Sequence, residues 1–173
     1  MDIFVDADFA SGWGTEDGTN PDSVKSRTGY IVELMGCSVI WCSKLQTSIA
    51  TSTMEAEHTA LSMALRAAIP LLEVTQAITT GLHHLAAQNR LVTFKPTLHE
   101  DNQGAKLLAE SPPGRETPRS KFCALKLHWF RSWLEPRKIE IKYIKSELQK
   151  ADYLTKAMPT PKFKTNRMLA MGW

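Results

Sequence analysis

The sequence predicts a mixed α/β fold, one sheet covered by helices on both faces. Three observations lead there. Three strand-like segments come first, within residues 2–43. After them, helix-like and strand-like segments alternate. The chain has 173 residues, 43% hydrophobic and 23% charged, enough for one domain with a substantial core.

Each element has a local reason. Residues 2–9 are rich in β-formers and read as the first strand. Gly12, Gly14, Gly18, Asn20 and Pro21 place a loop over 11–26. Residues 28–34 and 38–43 read as a strand pair turning at Met35-Gly36-Cys37. Residues 52–69 lack Gly and Pro, and Met54, His58, Leu61, Leu65 and Ala68 recur at helical spacing. Ser52 or Thr53 can cap this helix, and Glu55 in its first turn suits the positive end of the helix dipole. Pro70 either kinks the helix or opens a second one that runs to about Leu85. A strand falls within 91–100 and a short helix over 102–110, ended by Ser111-Pro112-Pro113-Gly114. Residues 119–135 form a helix with Phe122, Leu125, Trp129 and Trp133 on one side. Residues 138–145 alternate as a half-exposed strand does, and 147–157 are expected to form another helix. The tail after Pro159 is expected to be helical near 161–170. The domain reading is therefore 1–158, with 159–173 as a partly helical C-terminal tail.

Bulk properties narrow the class. No stretch approaches the roughly 20 consecutive apolar residues of a membrane span, so no membrane partner is expected. Asp2, Asp6 and Asp8 do not fit a secretory signal. Cys37, Cys42 and Cys123 are an odd set without metal-type spacing, read as reduced, mostly buried thiols of an intracellular, cytoplasmic protein. No Cys/His pair has the spacing of structural zinc. The charge is lopsided. Residues 1–101 hold 6 Lys/Arg against 12 Asp/Glu, and residues 102–173 hold 15 against 6. The basic half calls for a polyanionic partner or is a solvated charged surface.

Four acids in short motifs stand out: Asp6 in Val5-Asp6-Ala7-Asp8, Glu55 in Ser52-Thr53-Met54-Glu55-Ala56-Glu57, Asp101 in Glu100-Asp101-Asn102-Gln103, and Asp152 in Ala151-Asp152-Tyr153-Leu154-Thr155-Lys156. Converging carboxylates bind hard cations such as Mg²⁺. Two such cations side by side can hydrolyse a phosphodiester. Each acid has a competitor. Asp6 and Asp8 share a strand face. Glu55 and Glu57 lie about 200° apart on a helix, so only one can face a common site. Glu100 and Asp101 point to opposite faces of a continuing strand.

These motifs, with Lys25-Ser26-Arg27-Thr28-Gly29-Tyr30 and Ile40-Trp41-Cys42-Ser43-Lys44-Leu45-Gln46, resemble the ribonuclease H domain of copia-type LTR retrotransposon Pol polyproteins. The resemblance spans residues 4 to 158. It implies a ribonuclease H-like fold with a five-stranded mixed sheet in the order 3-2-1-4-5. It also implies endonucleolytic cleavage of the RNA strand of RNA–DNA hybrids by two Mg²⁺, with Mn²⁺ as substitute. The metal-binding and catalytic carboxylates then fall on Asp6, Glu55, Asp101 and Asp152. Asp8 becomes structural, and Glu57 is left solvated or in a salt bridge. The implied partners are the hybrid and a tethered reverse transcriptase, with a monomer as default and a virus-like particle as the setting of an active element. Where the family has Lys-His-Ile-Asp, this chain has Lys121-Phe122-Cys123-Ala124, and residues 138–156 contain no histidine. The alternative is a weakly active or inactive hybrid-binding or scaffolding domain. Candidate contacts to the hybrid are Asn102, Gln103, Lys44, Arg119, Lys121 and Lys126. Asn102 serves equally as a helix cap.

Overall fold

The computed structural model describes residues 1–14, 19–85, 94–111 and 124–172. In chain order the elements are β1 (Asp2–Asp8), β2 (Arg27–Leu34), β3 (Cys37–Leu45), α1 (Thr53–Leu85), β4 (Thr97–Glu100), α2 (Gln103–Glu110), α3 (Ala124–Arg137), β5 (Glu140–Tyr143) and α4 (Thr160–Met171). The sheet order is β3-β2-β1-β4-β5, as the resemblance implied. β1 pairs antiparallel with β2, and β2 with β3. β1 and β4, and β4 and β5, are parallel. The turn between β2 and β3 has positive φ at Met35 and Gly36 (55° and 81°), the handedness that matches strand twist in a two-residue hairpin loop.

Strand alternation divides the core. Ile3, Val5 and Ala7 pack on one face with Ala56, Ala60, Leu61, Ala64, Leu65 and Phe130. Phe4 and Ile31 pack on the other with Ala151 and Ala170. The alanines of α1 let its backbone lie close to the sheet. Leu61 and Leu65 are fully buried beside them, each stabilising by about 1.5–3 kcal/mol. α4 closes the second face, where Ser38 Oγ donates to the Ala170 carbonyl and the Phe163 ring meets Tyr153 edge-on.

Several local expectations are corrected. α1 is one helix through Pro70, which sits at an exposed position. The carbonyl of Arg66, one turn earlier, loses its helical partner on the solvent side, which water can satisfy. Thr53–Gly81 reaches span length at a mean hydropathy of 1.3, although Ser, Thr, Glu and Arg interrupt its leucines, isoleucines and alanines. Here it is a core helix on the sheet. Residues 147–157 form no α-helix. They make two 3₁₀ turns, Ser146–Leu148 and Asp152–Leu154. Gln149, Asp152 and Thr155, three residues apart, are all buried, which is the repeat of a three-residue turn. Of the cysteines, Cys37 is exposed and Cys42 half-buried, and Cys123 lies outside the described residues.

Candidate active site

The site gathers where β1 and β4 end beside the start of α1. Asp6 is 1% exposed. Asp6, Glu57 and Asp101 each bring one carboxylate oxygen to within 4.8 Å of the others. Glu55 is not among them. Its carboxylate accepts from the backbone N–H and the hydroxyl of Thr51, both at 2.8 Å, while Ser52 Oγ accepts from the Glu55 N–H at 3.2 Å. That is a variant of the capping box, in which Glu55 reaches one residue past the Ser52 cap to Thr51 and secures the entry to α1. The expectation that Glu55 faces the site is therefore corrected. The other side of the helix turns inward, and it carries Glu57. The signal was present in Ser52-x-x-Glu55.

Electrostatics mark the cluster as strained. Burial raises the Glu57 carboxyl well above its ordinary range, reinforced by Glu100, Asp6 and Asp101. Burial likewise raises Glu100, against the opposing effect of the Asn102 N–H on its Oε1. Asp6 is raised by burial, and Lys156 and Thr155 oppose this. Glu57 Oε2 and Glu100 Oε2 are buried with no hydrogen-bond partner among the described residues. Orphaned buried carboxylate oxygens are costly unless something positive meets them.

Asp152 is held beside this cluster. Lys156 Nζ reaches Asp152 Oδ1 at 2.7 Å and Asp6 Oδ1 at 3.2 Å, and Lys162 Nζ reaches Asp152 Oδ2 at 3.1 Å. Thr155 Oγ1 donates to Asp6 Oδ2. Gln149 anchors the segment, its side-chain amide donating to the Val5 carbonyl at 2.8 Å and the His99 carbonyl at 3.3 Å. Gly29 makes the approach possible. It pairs with Asp6 across β1 and β2, and a Cβ there would stand 2.6 Å from the Thr155 methyl and 3.1 Å from the Ala151 carbonyl oxygen. Neither Gly29 nor Lys156 was singled out by sequence reasoning. Their role depends on which strands become neighbours.

The remaining expected residues are placed as follows. Asp101 accepts from Ser146 Oγ at 2.8 Å. Asn102 is the N-cap of α2, its Oδ1 accepting from the Ala105 N–H at 3.0 Å. Gln103 and Lys44 are exposed. Lys126 Nζ donates to Thr59 Oγ1 at 3.1 Å. Trp129 and Trp133 are partly buried against the core, their rings 6.1 Å apart. Arg119 and Lys121, with Phe122, lie outside the described residues. Asp8, at the rim of the site, is raised by burial against Lys156 and Arg27.

The fold has solved counterparts of low sequence identity. RNase H1 from the halophilic archaeon Halobacterium salinarum matches with a TM-score of 0.56 at 15% identity, over 89% of this chain and 92% of its own. The N-terminal RNase H domain of a Mycobacterium tuberculosis protein matches with 0.56 at 12%, over 96% and 95%. LC11-RNase H1, solved in complex with an RNA/DNA hybrid, matches with 0.54 at 17%, over 89% and 92%. The chain has the ribonuclease H fold. Its sequence relatives are retrovirus-related Pol polyproteins of plant transposons. That of transposon TNT 1-94 from Nicotiana tabacum is 31% identical over 160 residues, 92% of this chain. That of transposon RE2 from Arabidopsis thaliana is 28% identical over 158 residues, 91% of this chain. The chain spans about 10% of the length of these curated relatives. No family model matches it.

Proposed function

We propose that this ribonuclease H-fold chain is a divalent-metal-dependent endonuclease that cuts the RNA strand of RNA–DNA hybrids within a copia-type transposon Pol polyprotein. The observation that carries the reading is the meeting of Asp6, Glu57 and Asp101 at the strand ends of this fold. The donor set fits the group. It is all oxygen, it includes buried carboxylate oxygens without partners, and it suits two Mg²⁺ or Mn²⁺ ions rather than zinc. Asp6, Glu57 and Asp101 would hold the ions, with Asp152 completing the set from the neighbouring turn. Bound there, the cations supply Lewis acidity toward the phosphate and the attacking water.

The chain's own residues do the rest. Burial of Asp6 and Glu57 keeps bulk water from screening them. Thr155 and Lys156 fix the Asp6 carboxylate, and Lys156 and Lys162 fix Asp152. Gln103, exposed at the start of α2, would face the groove where ribose hydroxyls mark RNA. Asn102 holds that helix end in place. Lys44 and Lys126 would meet phosphates.

A hybrid labelled in its RNA strand and incubated with Mg²⁺ tests the proposal. The expected result is RNA fragments with 3′-hydroxyl ends, and no cutting in EDTA or by Asp101→Asn. RNA left intact by a protein that still binds the hybrid would point instead to a binding or scaffolding domain. Equal cutting of duplex DNA would also overturn the reading.

A further inference from the structure

Gln149 is 1% exposed, and both polar atoms of its side chain are engaged. Nε2 donates to the Val5 carbonyl at 2.8 Å and to the His99 carbonyl at 3.3 Å, and Oε1 accepts from the Ala151 N–H at 3.3 Å. The two carbonyls belong to β1 and β4, one just before Asp6 and the other shortly before Asp101. The contact falls where these strands part. Their parallel register runs from Asp2 and Thr97 to Phe4 and His99 and stops there. Beyond that point each strand stays with its outer neighbour, β1 with β2 as far as Asp8 and β4 with β5 as far as Glu100. The Thr97 N–H donates to the Met1 carbonyl at 2.9 Å, and in a parallel ladder that bond recurs at every second residue. The series runs from Thr97 to Met1, from His99 to Ile3, and then from Asp101 to Val5. That third rung would bridge Asp6 with Asp101 and draw their backbones to about 4.8 Å. The Gln149 amide holds the Val5 carbonyl in its place.

Gln149 is also the centre of the turns that follow β5. Its N–H donates to the Ser146 carbonyl at 3.2 Å, and its own carbonyl accepts from the Asp152 N–H at 3.3 Å. Ser146 Oγ in turn donates to Asp101 Oδ2 at 2.8 Å. One buried residue thus reaches the strand of Asp6, the strand that leads to Asp101, and the turn of Asp152. We propose that Gln149 is a positioning residue for the metal centre: its amide takes the rung that would close β1 onto β4, sets the gap between Asp6 and Asp101, and fixes Ser146 and Asp152 beside them. It touches no reacting atom. The gap suits its use. The Asp6 and Asp101 oxygens lie within 4.8 Å of each other. Opposite ligands of an octahedral Mg²⁺ stand roughly 4.2 Å apart. Packing alone does not call for an amide here. An apolar side chain of similar volume would fill the space but leave the Val5 carbonyl without this donor, free to return to the Asp101 N–H. The gap would narrow, and the Ser146 turn would come away from Asp101.

The proposal rests on the metal-dependent reading above, and its test separates the two. Mn²⁺ affinity is measured by electron paramagnetic resonance for the unsubstituted protein, Gln149→Met and Ser146→Ala. Cleavage of RNA-labelled hybrid is followed against Mg²⁺ concentration for the same three, at a temperature where circular dichroism shows each folded. Gln149→Met is expected to bind Mn²⁺ about tenfold more weakly and to need correspondingly more Mg²⁺ for half-maximal cutting, the usual cost of losing an outer-shell partner. Its KM for the hybrid should stay within about twofold, since a buried residue makes no contact with the duplex. A Gln149→Met protein that melts lower yet keeps the metal affinity and the Mg²⁺ profile would make Gln149 a packing residue and overturn the proposal. Ser146 is exposed, so Ser146→Ala decides the matter should Gln149→Met not fold. Mn²⁺ binding about threefold weaker in Ser146→Ala supports the proposal, and unchanged binding overturns it. If the unsubstituted protein binds Mn²⁺ but leaves the hybrid intact, the functional reading fails while the affinities still judge Gln149. If it binds no Mn²⁺, both fail.

Discussion

Glu57→Gln separates the two glutamates of the α1 entry and has opposite effects on stability and activity. Glu57 is 7% exposed, with Asp6 and Asp101 oxygens within 4.8 Å. Two unit charges at that separation repel by roughly 3 kcal/mol at an effective dielectric of about 20. Lys156 cancels part of this through Asp6, and part is avoided because the raised carboxyls take up protons. Glutamine keeps the shape and removes the charge. The metal-free protein should gain about 1–2 kcal/mol, roughly 2–8 °C in melting temperature. The same change removes an oxygen donor shared by the metal centre. Cleavage should fall by more than about 100-fold, beyond the cost of losing an outer-sphere partner. Glu55→Gln should do the reverse, leaving cleavage nearly intact and costing about 1 kcal/mol as the capping box weakens. Thermal melts in EDTA and a gel assay on RNA-labelled hybrid read both effects. Loss of cutting in Glu55→Gln with retention in Glu57→Gln would refute the geometry.

Three further outcomes follow from the packing. His58 is fully buried, and its folded value is pushed down to about 4, first by burial and then by Lys126 and Arg131. Below pH ~6.5 the unfolded chain gains a proton that the folded one refuses, so stability should fall by up to about 3 kcal/mol between pH ~6.5 and ~4. Urea melts of His58→Leu should lack that component, and an identical acid slope would contradict it. Gly29→Ala should cost about 1–3 kcal/mol by forcing Thr155 and Ala151 off β2, and cleavage should weaken as Asp152 shifts. An unchanged urea midpoint would show that the turn gives way freely. Lys156→Met leaves Asp6 and Asp152 facing each other without their shared cation. Because Lys156 is 39% exposed, the loss should be modest, about 1–2 kcal/mol in EDTA, and Mg²⁺ should restore much of it. A melting temperature as high as that of the unsubstituted protein in EDTA would count against the role given to this lysine.

The strands, α1 and the short α2 were legible because periodicity, turn residues and caps agreed. Asp101 was legible because it follows the last residue of β4 within its motif, whereas Asp6 and Asp8 share a strand face and only the family resemblance separated them. Glu57 was not. A 200° separation shows that one of two glutamates faces inward but not which one, and that choice depended on seeing Ser52 and Glu55 as a capping box. The segment 147–157 read as a helix because nothing in it breaks one. Its three-residue burial repeat, Gln149, Asp152 and Thr155, emerged only once β1 and β2 were beside it. Gly29 and Lys156 act across more than a hundred residues of sequence, where no local pattern reaches.

Anomalous diffraction from crystals soaked in Mn²⁺ tests the metal centre most directly. The account predicts peaks about 2.1 Å from oxygens of Asp6, Glu57 and Asp101, with Asp152 alongside and Glu55 still turned to Thr51. Density on Glu55, or none at the ends of β1 and β4 at saturating Mn²⁺, would contradict it.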